Sequence, residues 1–381
     1  MAKEHRFIVL DSFRGLCALS VVLFHLHVPG SLTELNFFRN AHLFVEFFFV
    51  LSGFVLFHSY RNVLLNYNDF NAFLLKRIFR LYPLHFFMLV VFIFFECGKW
   101  LAEIKGFNFN GHAFSGSNSI KEIIPNLLLL QSWLNKADPL SFNGPSWSIS
   151  AELYVYILFA ALLILNRKLS LFIFTGIAAF SFFALMTNLD LFNTNIMRVC
   201  SCFFSGILAY LIYQKTVRMS LTRYMLNLLE GLCLFMVLII LNSNTPQQGI
   251  VASLCFCMVI IIFSLEGGCF SSILKNQFFK SLGKLSYSIY MIHFAVIFLF
   301  ISLAMLLSRL CHYDFAPMLH APKTNELIRY ISTNSLLGNN LLVIAALVIT
   351  IVLAHLSWKY IEMPGIALGK RFLFKQVLLS T

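Results

Sequence analysis

The chain is short of charge. Only 12% of its 381 residues are Asp, Glu, Lys or Arg, about half the share of a soluble globular domain. With 59% hydrophobic residues and a mean hydropathy of +0.82, it has too little polar surface to clothe a water-soluble fold. Much of the exterior has to face lipid. Trp stands at only four positions, against 44 Phe and 13 Tyr, and aromatics in that proportion read as packing and lipid-facing surface rather than a cofactor box. No repeat and no low-complexity linker divides the chain, which reads as a single membrane domain over residues 1–381. No cleavable signal peptide is evident: the first apolar stretch begins near Phe7, contains Arg14 and His25, and is followed by no small-residue cleavage site. The nine Cys lie mostly in apolar segments. The C-x-C pairs Cys200/Cys202 and Cys255/Cys257 do not share a helix face. The expectation is small buried hydrophobes, with no metal site and no disulfide framework.

What is present is a formal net charge of +12. The basic residues sit between hydrophobic segments, which points to topology and anionic headgroups and away from nucleic acid. About ten apolar segments are long enough to span a bilayer, at 7–27, 43–60, 82–101, 147–165, 169–187, 196–214, 225–242, 249–266, 287–308 and 339–361. Lys and Arg favour the side holding the N-terminus about two to one, and most tellingly in the short connections 166–168, 215–224 and 275–284. The predicted fold is all-α: a polytopic bundle of about ten transmembrane helices with both termini cytoplasmic. Two long outer loops, roughly 102–146 and 309–338, are either a structured cap over a substrate site or disordered connections.

Ionisable groups inside apolar segments are expensive, and so are candidates for function. Arg14 and His25 are eleven positions apart. At ~100° per residue this falls ~20° from whole turns with a rise of ~16 Å, so both project from one helix face. An extended pantetheine arm has a comparable length, with an Arg for phosphate at one end and a His for a thioester at the other. A structural Arg reaching headgroups and a satisfied core His fit the same pair. Glu46, in LFVEFFFVLSGF, either orients an imidazole or is a carboxylate at the membrane edge. Ser52-Gly53 allows close backbone approach. Arg77 and Arg80 stand i, i+3 and converge on one phosphate, or anchor the segment inside. Pro83 reads as a helix first turn. Trp147, Ser148 and Glu152, in PSWSISAE, place a carboxylate toward the outer side, for acceptor hydroxyls or as an interfacial charge. Tyr287 and Tyr290 fit an interfacial belt, and His293 reads as a packed core His.

Taken in order, these elements resemble the integral-membrane acyltransferase-3 family, which includes bacterial O-antigen and exopolysaccharide O-acetyltransferases. Arg14 and His25 meet its R-x10-H motif, and VEFFFVLSGF meets its acidic-FFVLSGF motif with Glu46 at the acidic position. Arg77, Arg80 and Pro83 meet RxxR-x-x-P, and Trp147, Ser148 and Glu152 meet WS-x3-E. The late LG-x-x-SYS-x-Y-x-x-H and W-x-x-IE-x-P elements are present too, the latter through Trp358, Glu362 and Pro364, so the resemblance covers about 7–364. The chain departs from the pattern at Phe44-Val45-Glu46, where the family usually has Asp, often after Gly-Val. Thr381 also follows the tenth segment too closely for the SGNH esterase-like domain that some relatives carry.

The resemblance implies acyl-CoA, usually acetyl-CoA, as donor and a carbohydrate or glycolipid hydroxyl as acceptor, such as lipopolysaccharide O-antigen or exopolysaccharide, at a bacterial cytoplasmic (inner) membrane, with no metal. On this reading Arg77, Arg80 and Arg14 hold the nucleotide and phosphates. His25 acts as base or acyl carrier, Glu46 orients His25, and Trp147, Ser148 and Glu152 serve the acceptor. The competing expectation is a transporter or flippase of a lipid-linked saccharide, using the same buried charges as a path.

Overall fold

The computed structural model describes residues 6–61, 67–107, 109, 111–189, 193–321 and 326–380. The helices run α1 Ile8–His25, α2 Asn36–Arg39, α3 Phe44–Tyr60, α4 Tyr67–Ile104, α5 Ile123–Leu127, α6 Ser146–Leu163 and α7 Arg167–Thr187. They continue as α8 Thr194–Thr216, α9 Arg223–Asn242, α10 Gln248–Phe263, α11 Cys269–Leu274, α12 Gln277–Cys311, α13 Leu336–Ser357 and α14 Met363–Ser380. One short antiparallel hairpin, β1 Met318–His320 with β2 Leu327–Arg329, is the only sheet among the described residues. Among the described residues, nine helices are long and apolar enough to cross a membrane, and α10, at 16 residues, falls short. Each predicted apolar segment thus has its helix. The rise of α10, about 24 Å, is less than a bilayer core of about 30 Å.

Association of helices in lipid depends on close van der Waals packing, and small residues set how near two backbones come. Two crossings carry the bundle. In α1 against α12, a Cβ on Gly15 would lie 2.6 Å from the Leu282 carbonyl carbon, and one on Gly283 would lie 2.3 Å from the Asp11 oxygen. In α3 against α8, a Cβ on Gly53 would meet the Phe203 oxygen at 1.9 Å, and one on Gly206 the Val50 oxygen at 2.0 Å. The first crossing fixes the helix that carries Arg14 and His25. The second fixes the helix that carries Glu46 and Ser52.

Three helices are longer than a bilayer core requires: α4 with 38 residues, α12 with 35, and the continuous run from α13 into α14. Pro83 is not in a first turn. It lies inside α4, where its missing N–H leaves the Phe79 carbonyl without its usual partner. Gly365 of α14 packs against that place, within 2.9 Å of the same carbonyl were it to carry a Cβ. The helix of the tenth segment, predicted over 339–361, does not stop there either. A single π turn, Trp358–Glu362, passes α13 into α14. That turn swings the Glu362 carboxylate inward onto Ser288 Oγ at 2.9 Å. Both long loops, 102–146 and 309–338, are structured in their described parts. The first is held by buried carboxylates: Glu96 accepts from Phe114 N and Asn118 Nδ2, and Glu122 from Asp138 N. Cys97 and Cys311 are exposed, against the expectation that the cysteines are buried.

Candidate active site

At the end where α1 begins, Arg14 of α1 meets Arg77 and Arg80 of α4 around a cavity of about 80 Å³, with Ser52, Glu152, Tyr156 and Tyr287 in its wall. Arginines three apart on α4 share a face, which is why both reach it. None of the three guanidinium groups closes an ion pair among the described residues. Arg77 lies over the rings of Phe73 and Tyr156, 5.6 and 5.9 Å from their centres, and its Nε is buried without a hydrogen-bond partner. The Glu152 carboxylate is occupied by the hydroxyls of Ser52 and Tyr156, which both donate to Oε1. Three cations converge here with no carboxylate in ion-pair contact with any of them, an arrangement able to take up an anionic group. Two wider spaces open beside it, of about 350 and 260 Å³, and Arg6, Asp11, Arg14 and Arg80 line both.

A narrow cavity of about 50 Å³ leads inward from Arg14, walled by Phe48 and Phe49 and by the hydroxyls of Ser52, Ser148, Ser286, Tyr287 and Tyr290. Ser148 and Tyr290 are 2.9 Å apart, and Tyr287 donates to the Leu81 carbonyl at 2.6 Å. Tyr287 and Tyr290 are buried, so they line the interior and do not form an interfacial belt.

Val45 and Tyr290 are shared between this passage and a chamber of about 550 Å³ at the far end of α1, where His25 lies with Phe24, His42, Trp147, Arg198 and Phe294. Both long loops roof the chamber, through Leu140, Gly144 and Pro145 on one side and Ala321, Glu326 and Ile328 on the other. Arg39 brackets the end of α1. It donates to the carbonyls of Leu23, Leu26 and Thr33 and to His27 Nδ1, at 2.8, 3.0, 2.6 and 2.7 Å. Burial, with the charge of Arg39 second, holds the His27 imidazole down at about 4. Neutral His27 is the form that accepts from Arg39. Its carbonyl accepts from Ile331 N at 3.0 Å, which ties the second loop to the helix end.

Arg14 and His25 therefore belong to one string of cavities, as a common helix face requires. Glu46 does not reach His25. Its Oε1 accepts from Arg198 Nε and Nη2 at 2.9 and 2.7 Å, and Arg198 stacks over Trp147 at 5.1 Å. A carboxylate in the first turn of α3 faces the first turns of α8, and the guanidinium fork of Arg198 captures it. Glu152 also departs from expectation. It lies with the arginines, five residues along α6 from Trp147, which is on the chamber wall. Ser148 lines the passage between them.

Residues 7–359 match the family model described as an acyltransferase domain, that of the acyltransferase-3 family. The chain belongs to that family. It is 35% identical over 126 residues to "Acyltransferase MdmB" of Streptomyces mycarofaciens, covering 33% of this chain and 29% of that protein. This chain thus spans under a third of that relative's length. It is 33% identical over 163 residues to "Protein 2 in picA locus" of Rhizobium radiobacter, covering 41% and 81%. It is 24% identical over 298 residues to "Putative acetyltransferase ORF330" of Acidianus two-tailed virus, covering 74% and 81%. No solved structure matches the chain.

For this multi-pass membrane member of the acyltransferase family, the residues that the sequence reading left out of the site are Arg198, Tyr156, His42, Arg39 and His27. Arg198 had a legible signal, a cation in the apolar run of α8. The others depend on how distant helices and loops meet.

Proposed function

We propose that this protein is an integral-membrane O-acyltransferase. It moves an acyl group, acetyl in the simplest case, from a CoA thioester entering at the arginine end to a hydroxyl of a surface carbohydrate, such as O-antigen or exopolysaccharide, held in the roofed chamber. The membrane is the bacterial cytoplasmic membrane, with both termini on its inner side. Lys76, Arg77, Arg80, Lys280, Lys284, Lys370 and Arg371, on the parts of α4, α12 and α14 nearest the start of α1, agree with that orientation.

The observation that carries the reading is the string of cavities sharing Arg14 and then Val45 and Tyr290, which runs from three unpaired arginines to His25. Arg14, Arg77 and Arg80 hold the phosphates, and the pantetheine arm lies along the passage. His25 takes the proton of the acceptor hydroxyl as its oxygen attacks the thioester carbonyl carbon. The C–O bond forms, the C–S bond breaks, and the imidazolium returns the proton to the departing CoA thiolate. General-base assistance of this kind is worth about 10²–10⁴-fold.

The test is transfer of labelled acetyl from acetyl-CoA to the glycan fraction of membranes that contain the protein. His25→Ala, at matched abundance, is expected to abolish it. Normal transfer by that variant removes His25 from the mechanism, and a wild-type protein that transports glycan without breaking the thioester removes the enzyme reading.

A further inference from the structure

Glu46 is committed to Arg198, which leaves open what orients His25. His25 closes no hydrogen bond among the described residues, yet its ring centre lies 5.3 Å from that of His293, with the planes 33° apart. His293 is completely buried on α12. Its Nδ1 is 2.7 Å from the Tyr290 carbonyl oxygen. A carbonyl only accepts, so Nδ1 carries the hydrogen and Nε2 is a bare lone pair. That Nε2 is buried and has no hydrogen-bond partner. An unsatisfied buried acceptor costs about 1–3 kcal/mol, so a residue with only a packing role is better served by Phe or Leu. Imidazole nitrogens sit about 1.1 Å from the ring centre, so ring centres 5.3 Å apart allow a nitrogen of each ring to approach to about 3 Å, hydrogen-bond range.

We infer that His293 is a positioning residue for His25: its Nε2 accepts the N–H of His25 and so leaves the other His25 nitrogen as a free lone pair facing the chamber. The inference rests on the acyl-transfer reading above. The shared hydrogen selects the His25 tautomer and holds the ring plane, and the acceptor lone pair stabilises the imidazolium formed when the acceptor hydroxyl gives up its proton. The Gly15/Gly283 crossing sets the geometry, because it presses α1 and α12 together along the line on which both histidines stand.

Two substitutions separate this role from support of the helix. His293→Asn keeps a donor for the Tyr290 carbonyl and puts nothing at the Nε2 position. His293→Gln places an amide oxygen near the Nε2 position and gives up the bond to Tyr290. Both are compared with wild type in membranes carrying the acceptor glycan, by release of CoA from acetyl-CoA. His293→Asn is expected to lower kcat at least about tenfold with the KM for acetyl-CoA within about twofold, and His293→Gln to recover most of the loss. Asn performing as well as Gln, or a loss seen in KM and not in kcat, overturns the assignment. Wild-type rates in both variants sink the histidine pair alone. Absence of transfer in the wild type sinks it together with the reading on which it rests.

Discussion

Arg198 and Glu46 join α8 to α3 by an ion pair of 2.7 Å, with the Glu46 side chain only 3% exposed. Arg198 stands at the wall of the His25 chamber, 5.1 Å from the centre of the Trp147 ring. Removing one charge leaves the other buried and uncompensated, at a cost of about 3–5 kcal/mol. Glu46→Gln is therefore expected to lower the thermal midpoint in detergent strongly, and Glu46→Gln with Arg198→Met to regain much of it. A double variant less stable than either single one contradicts the pairing.

Arg77→Ala with Arg80→Ala removes two of the three cations at the far end. The expected effect is a rise in the KM for acetyl-CoA of about tenfold or more, since each hydrogen bond to a charged group is worth about 1.5–3 kcal/mol. Apparent affinity for the acceptor is expected to stay the same. Steady-state rates with either substrate varied distinguish the two, and a change confined to the acceptor reassigns the arginines.

At Gly53 and Gly206 an added Cβ would stand about 2 Å from a carbonyl oxygen of the facing helix. Gly53→Ala and Gly206→Ala are expected to force α3 and α8 apart and to abolish accumulation of folded protein. Gly98, also helical, has nothing within 4 Å of the corresponding position, and Gly98→Ala is expected to be silent or slightly stabilising. Size-exclusion profiles of the three in detergent provide the comparison.

His27 provides a pH signature. Its folded-state pKa, about 4, lies below its ordinary 6.5, so the unfolded chain takes up the proton first as pH falls. Its contribution to stability is complete above about 6.5, declines between 6.5 and 4, and falls no further below that, with a ceiling of about 3 kcal/mol. Thermal midpoints measured across that window are expected to drop with acid, and to drop less in His27→Gln. A slope unchanged by the substitution means that other groups carry it.

The sequence by itself determined the membrane class, the helical segments and the candidate polar residues. Each of these follows from local quantities: a run of apolar residues of bilayer length, a charge standing in such a run, and a spacing of eleven that returns to the same helix face. It also placed Arg14, Arg77 and Arg80 where they meet. Only the tertiary structure decided who faces whom. Glu46 pairs with Arg198, 152 positions away, and not with the histidine it was expected to orient. Glu152 turns to Ser52 and Tyr156, and His293 comes to lie beside His25. These pairings depend on how closely α1 meets α12 and α3 meets α8, and glycines distant in sequence set those approaches. A helix's periodicity says which side chains share its face, but it carries no information on which other helix that face will touch.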